Sequence, residues 1–271
     1  MLRVVAVAAV MVAATATAAG ATPPPDTTAP PTTTPPTTVP PTTVPPTTTP
    51  QPPLDDWRDG RVAGCRPGQS FSRVDTRGVK LVAFTFDDGP DRQWTEPILQ
   101  AFEQRGARAT FFVVGSMIYN VPDLVRSMID RGFEIGNHTM THSYLPGTIA
   151  AEIPRLNSLL QRRFAVRTPF FRSPGLTPGR SISSAAARAG MCLVGTNILS
   201  GDDRSPRRSP ARLCDTVTRG LRPGSIVLLH DGGNHRQTAE AVPCMLDAAI
   251  ARGYRIVTLA ELLAAGPTVR W

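Results

Sequence analysis

From Lys80 onward the chain alternates short apolar runs with amphipathic stretches at helical spacing, and this alternation most restricts what it can fold into. The runs KLVAFTF, ATFFVVG, FEIGNH, TPFFRSPG, MCLVGTNIL, SIVLLHDG and YRIVTL read as strands. Between them, TEPILQAFEQRG and VPDLVRSMIDRG read as helices stopped by Gly106 and Gly132. IAAEIPRLNSLLQRRF reads as a helix interrupted early by Pro154, and SISSAAARAG as one starting near a Ser cap. SPARLCDTVTRG, QTAEAVPCMLDAAIARG (with Pro243 inside it) and AELLAAG complete the helical set. Strands alternating with helices imply right-handed crossovers and a parallel sheet. About seven repeats favour a closed or partly closed (β/α) barrel over an open doubly wound sheet. No Gly-rich phosphate loop follows the first strand, which argues against dinucleotide binding.

The domain so predicted occupies residues 54–271. Residues 1–21 have a single early Arg3, an apolar stretch and then small residues, the layout of a secretory signal peptide rather than of a membrane span. Residues 22–53 are a Pro/Thr-rich tract with a local PPTTV repeat that cannot bury a core. Extended at about 3.1 Å per residue, this linker reaches roughly 100 Å. The expected location is therefore secreted, extracellular or in a cell wall, with no membrane span in the mature protein. The formal net charge is +8, carried almost wholly by Arg, with Lys80 the only lysine. No aromatic-interleaved basic patch accompanies it, so nucleic acid is not an expected partner. Four cysteines, Cys65, Cys192, Cys214 and Cys244, are an even number for an oxidising compartment and leave three full pairings open. A monomer is the expected state.

The unusual polar residues fall at one kind of place. Asp87 and Asp88 end the first strand, His138 ends the third and Arg172 the fourth. Asp202 and Asp203 follow the fifth, and His230 ends the sixth. C-terminal strand ends share one rim in a (β/α) barrel, so these residues converge. In NHTMTH, His138 and His142 are four apart, which on a helical turn places both imidazoles on one face. Two His and a carboxylate are a common zinc set. Capping before Pro90 accounts for one of the two adjacent acids but not for both. A metal at one and a guanidinium, from Arg172, at the other would relieve their repulsion. His230, after an apolar strand, needs a partner, and either Asp202 or Asp203 can supply it.

TFDDGP, HTMTH, FRSPG, a late Asp and LLHD, in this order, resemble the polysaccharide deacetylase family, the NodB homology domain of carbohydrate esterase family 4. The resemblance covers about Val79 to Leu263. It implies a deformed (β/α) barrel and metal-dependent removal of acetyl groups from a glycan. Carried over by motif, Asp87 is the general base, and Asp88, His138 and His142 hold a divalent metal, usually zinc. Arg172 pairs with Asp87, and His230 is the general acid with Asp203 as its partner. Leu228 lines the pocket for the acetyl methyl, and a backbone N–H near Pro174 and Gly175 receives the oxyanion. Two positions depart from the pattern. Gly175 stands where an aromatic residue is usual, and Arg204 follows the acid where an Asp-Trp pair is usual. The expected substrate is peptidoglycan or another N-acetylglucosamine polymer. Acetyl-xylan or chitin-oligosaccharide deacetylation and a glycan-binding pseudoenzyme are the competing expectations.

Overall fold

The structure, a computed structural model, describes residues 56–177, 179–204 and 206–270. The expected signal peptide and linker lie outside the described residues. Two short strands, β1 (Ser70–Phe71) and β2 (Arg73–Val74), precede the long strand β3 (Leu81–Asp87). Then follow α1 (Thr95–Glu103), β4 (Thr110–Val113), α2 (Gly115–Ile118), α3 (Pro122–Asp130), β5 (Glu134–Asn137), α4 (Pro146–Phe164) and β6 (Phe170–Phe171). The chain continues through α5 (Arg180–Arg188), β7 (Cys192–Val194), β8 (Ile198–Leu199), α6 (Pro210–Gly220) and β9 (Ser225–His230). It ends with α7 (Arg236–Ala251), β10 (Arg255–Val257), α8 (Leu259–Ala264) and β11 (Thr268–Val269).

The parallel strands run in the order β1-β7-β6-β5-β4-β3-β9-β8, a sheet that curls toward closure, as expected for a deformed barrel. β10 pairs with the first half of β3, on the edge whose second half pairs with β4. The stretch MCLVGTNIL, expected as one strand, is two. Gly195–Asn197 separate β7, which pairs with β6, from β8, which pairs with β9. Beyond β9, β2 and β11 add antiparallel pairs.

Alternation along β3 sorts its side chains between two environments. Val82, Phe84 and Phe86 pack outward with Ile98, Leu99 and Phe102 of α1. Leu81 and Ala83 belong to the inner cluster with Phe112, Phe170 and Ile226. Thr85 and Asp87 continue that inner row. α4 runs through Pro154 without ending, although Pro removes a helical donor. α5 begins after Gly179 and has no side-chain cap, in place of the Ser cap expected. Two disulfides resolve the cysteine pairing: Cys65–Cys192 ties the N-terminal loop to β7, and Cys214–Cys244 ties α6 to α7.

Candidate active site

Asp87 and His230 are register partners at the ends of the neighbouring parallel strands β3 and β9. Paired residues of a parallel ladder point to the same face, so both enter the barrel mouth. Leu228, two residues before His230 on β9, lies on that same face and is buried. Arg172, just past β6, is fully buried. Its Nη1 donates to Asp87 Oδ1 and to Thr85 Oγ1, each at 2.8 Å. Nε and Nη2 donate to the carbonyls of Val194 and Gly195, both at 3.1 Å. The guanidinium carbon lies 4.2 Å from the centre of the Phe112 ring. Burial lowers the Arg172 pKa and Asp87 works against that shift. An anion and a cation are thus buried as a hydrogen-bonded pair, the condition under which buried charge is tolerated.

Asp88 does not follow the strand alternation, because its φ is +74°. Thr139 (+71°) and His142 (+58°) share this left-handed conformation, which is unusual for residues other than glycine and tends to gather at functional sites. HTMTH is accordingly a loop, not the helical turn its spacing suggests. The loop is held by side chains. Asn137 Oδ1 accepts from the Thr139 amide at 2.8 Å, and Thr139 Oγ1 accepts from the His142 amide at 3.0 Å. Glu152 of α4 accepts from the amide and hydroxyl of Thr141. Gly89 completes the cradle, since a Cβ there would lie 2.2 Å from Asp231 Oδ2.

As a result the ring centres of His138 and His142 stand 5.0 Å apart. Their Nε2 atoms lie 3.4 and 3.0 Å from Asp88 Oδ1. His138 Nδ1 is 2.8 Å from the Arg172 carbonyl oxygen, which can only accept, so Nδ1 carries a proton. In the neutral imidazole, Nε2 then presents a lone pair toward Asp88. Burial opposes ionisation of Asp88, but His138 and His142, with His230 farther off, hold its pKa well below the usual carboxylate range. Yet Asp88 Oδ1 is buried without a hydrogen-bond partner. Protons on the two imidazoles would balance the charge, but the contacts lack hydrogen-bond geometry. The two imidazole nitrogens and the orphaned Asp88 oxygen they converge on make a three-atom donor set that fits a divalent cation.

The partner of His230 is Asp202, not Asp203. His230 Nδ1 donates to Asp202 Oδ1 at 2.9 Å, and the His230 amide donates to Oδ2 at 2.8 Å. Ser200 Oγ and Thr238 Oγ1 donate to the same carboxylate at 2.8 and 2.7 Å. Asp203 is exposed. Burial opposes ionisation of Asp202, but hydrogen bonds from His230, Thr238 and Ser200 keep its pKa low. Burial also opposes charge on His230, yet Asp202, with Asp87 and Asp88 beyond it, pushes its pKa up to about 9. His235 stacks on the His230 ring, centres 5.1 Å apart, and forms a second group with Asp202 and His230. The four donors on Asp202 make it an orienting carboxylate rather than a ligand.

Pro174 is buried and Gly175 is exposed, in a short 3-10 turn directly after Arg172. The structure therefore brings together Asp87, Asp88, His138, His142, Arg172 and His230, and substitutes Asp202 for Asp203. Sequence reading missed Thr85, Asn137, Glu152 and Thr238. Thr85 carried the one available signal, two residues before Asp87 on the inner face of β3.

The sequence profile of polysaccharide deacetylases matches residues 75–194. A peptidoglycan-N-acetylglucosamine deacetylase of Bacillus cereus is 37% identical over 194 residues, covering 68% of this chain and 88% of that protein. The chain belongs to the polysaccharide deacetylase family. A chitooligosaccharide deacetylase of a Bradyrhizobium species is 33% identical, over 69% of this chain and 93% of that one. Among solved structures, a family 4 acetyl xylan esterase from Clostridium thermocellum, in complex with a cobalt ion, is 32% identical. It superposes with a TM-score of 0.63 over 68% of this chain and 91% of that one. The deacetylase signature thus spans the strands that carry Asp87, Asp88, His138, His142 and Arg172. Among the described residues, no helix of this deacetylase is long and apolar enough to cross a membrane.

Proposed function

We propose that this chain is a secreted, zinc-dependent hydrolase that removes N-acetyl groups from an N-acetylglucosamine polymer, with peptidoglycan as its target. The observation that carries the reading is one barrel mouth holding three features: a buried Asp87–Arg172 pair, the Asp88–His138–His142 group around an orphaned oxygen, and the Asp202–His230 dyad. The expected signal peptide and linker, and the peptidoglycan deacetylase among the relatives, favour a wall glycan.

Asp88, His138 and His142 would hold the metal. When bound, the ion supplies Lewis-acid polarisation of the acetyl carbonyl and makes a water molecule more acidic. Asp87 accepts the proton of the attacking water at the carboxylate edge that Arg172 leaves free. Arg172 is committed through all three of its nitrogens, so it fixes the orientation of Asp87. His230 Nδ1 is bound to Asp202, so Nε2–H is the proton available to the departing amine. A pKa near 9 keeps that proton in place at neutral pH. Leu228 offers an apolar surface beside His230 for the acetyl methyl. Pro174 and Gly175 carry the backbone beside the site where an amide can meet the developing oxyanion.

The test is acetate release from N-acetylglucosamine oligomers and from peptidoglycan with added zinc, comparing the wild type with Asp87→Ala. Wild-type turnover lost in the variant is the expected result. No release from any acetylated glycan by protein that binds metal would overturn the reading in favour of a glycan-binding pseudoenzyme. Preferential release from acetyl xylan would point instead to the esterase alternative.

A further inference from the structure

Tyr144 is among the most exposed large hydrophobic side chains of the described residues, at 62%, with Leu145 beside it at 68%. Scattered exposed apolar residues are ordinary. Tyr144 differs because its position is fixed at the mouth of the site. It follows His142 by two residues and precedes α4, whose first turn is bonded to the Leu145 carbonyl through the Ile149 amide. Its ring meets that of His142 edge to face, at 5.0 Å and 90°. The ring also lies beside Gly175. A Cβ built there would fall 2.9 Å from Tyr144 Cε1 and 3.3 Å from Cδ1, and the φ of Gly175 is +59°. Any larger residue at position 175 would displace the ring. Glycine at 175 and tyrosine at 144 are therefore one arrangement, in which a bare backbone lets an aromatic ring lie against it.

A ring so held presents a rigid, amphipathic surface at small entropic cost, the property that makes tyrosine a frequent recognition residue. The electron-rich face of an aromatic ring attracts polarised hydrogens. A pyranose offers a matching surface in the C–H groups of one face, with its hydroxyls directed outward to water.

We propose that Tyr144 is a specificity-determining residue that stacks on a sugar ring adjacent to the one being deacetylated, so that Tyr144 together with Gly175 selects oligomeric over short substrates. The proposal rests on the deacetylase reading for which sugar lies at the metal group, but the stacking contact can be measured without turnover. The fully deacetylated glucosamine pentamer presents the same ring faces and has no acetyl group left to release. Its dissociation constant by calorimetry is expected to rise about tenfold in Tyr144→Ala, equivalent to about 1.4 kcal/mol, and to stay within about twofold of wild type in Tyr144→Phe. With N-acetylglucosamine oligomers, the wild type is expected to show a lower KM for the pentamer than for the dimer. Tyr144→Ala should lose that difference mainly in KM rather than kcat. Pentamer binding unchanged in Tyr144→Ala, or equally weak in Tyr144→Phe, overturns the proposal. Tyr144-dependent binding with no acetate released from any substrate would uphold the stacking contact and sink the deacetylase reading instead.

Discussion

Replacing Asp202 by Asn tests which carboxylate governs His230, the proposed general acid. Asp202 is nearly isosteric with Asn, so Oδ1 can still accept from His230 Nδ1, but the negative charge is gone. The rise in His230 pKa from 6.5 to about 9 is opposed by burial and driven first by the hydrogen bond and charge of Asp202, then by Asp87 and Asp88. That rise corresponds to about 3 kcal/mol favouring the protonated imidazole. Removing the leading favourable cause should bring the pKa down by about one to two pH units, since burial then faces only the more distant carboxylates. A cation held by Asp88 acts equally on wild type and variant, so the difference between them reports Asp202. The assay is the pH profile of kcat/KM for N-acetylglucosamine oligomers, whose alkaline limb follows loss of the acid's proton. That limb should move to lower pH in Asp202→Asn and stay in place in Asp203→Asn. The same linkage acts on stability. Because His230 is raised above its unfolded value, its contribution is complete below pH 6.5 and is lost as pH rises through about 9. Asp202→Asn should therefore flatten the fall in melting temperature across that window. If Asp203→Asn moves the alkaline limb and Asp202→Asn does not, the assignment made from the hydrogen bonds is wrong.

Other outcomes follow from the same geometry. Arg172→Met leaves Asp87 buried without its cation and should cost about 3–5 kcal/mol in chemical denaturation. An unchanged midpoint would show that Asp87 does not need the guanidinium. Wild-type protein should hold one metal ion by elemental analysis, and His138→Ala should lose it. Equal content in the two proteins would defeat the ligand assignment. Replacing both Cys214 and Cys244 with Ser opens a link spanning 30 residues between α6 and α7. By the chain-entropy relation this should cost about 3–4 kcal/mol, read as a lowered denaturation midpoint. Glu152→Gln replaces the acceptor that holds Thr141 and should weaken metal affinity, with the His142 ring losing order by NMR, although Glu152 touches no ligand.

The extent to which the sequence revealed this site depended on whether local periodicity still governed the backbone. Along β3 and β9 it did. Two-residue alternation places Thr85 and Asp87 inward, and likewise Leu228 and His230, and the ends of parallel strands bring Asp87 and His230 together. Where the strands stop, that rule stops too. MCLVGTNIL reads as one strand by composition. Its division into β7 and β8 depends on different partners, β6 and β9, that come from opposite ends of the sheet order. After the two residues of β8, Gly201 has a φ of +70°, so nothing in the string GDDR indicates which acid turns inward. The choice is made by Ser200, Thr238 and the amide of His230, and two of those three lie far away in sequence. The His pair shows the same limit. A spacing of four suggests a helical face, but the rings converge through a loop whose shape is imposed by Asn137 and by Glu152 from α4. The pair Asp87–Asp88 lies on the boundary between the two regimes. Asp87 is the last residue that the strand orients, and it is given a buried guanidinium. Asp88 is the first residue that the strand does not orient, and its left-handed backbone turns it toward the imidazoles. Adjacent acids can serve one mouth in different roles because the change in backbone conformation falls between them. An Asp88→Gly substitution would relieve the strain while removing the proposed ligand, so melting temperature and metal content should part company. Stability should hold or rise in metal-free protein while stoichiometric metal is lost, and a loss of both would show that the left-handed turn is maintained by Asp88 itself rather than by the loops around it.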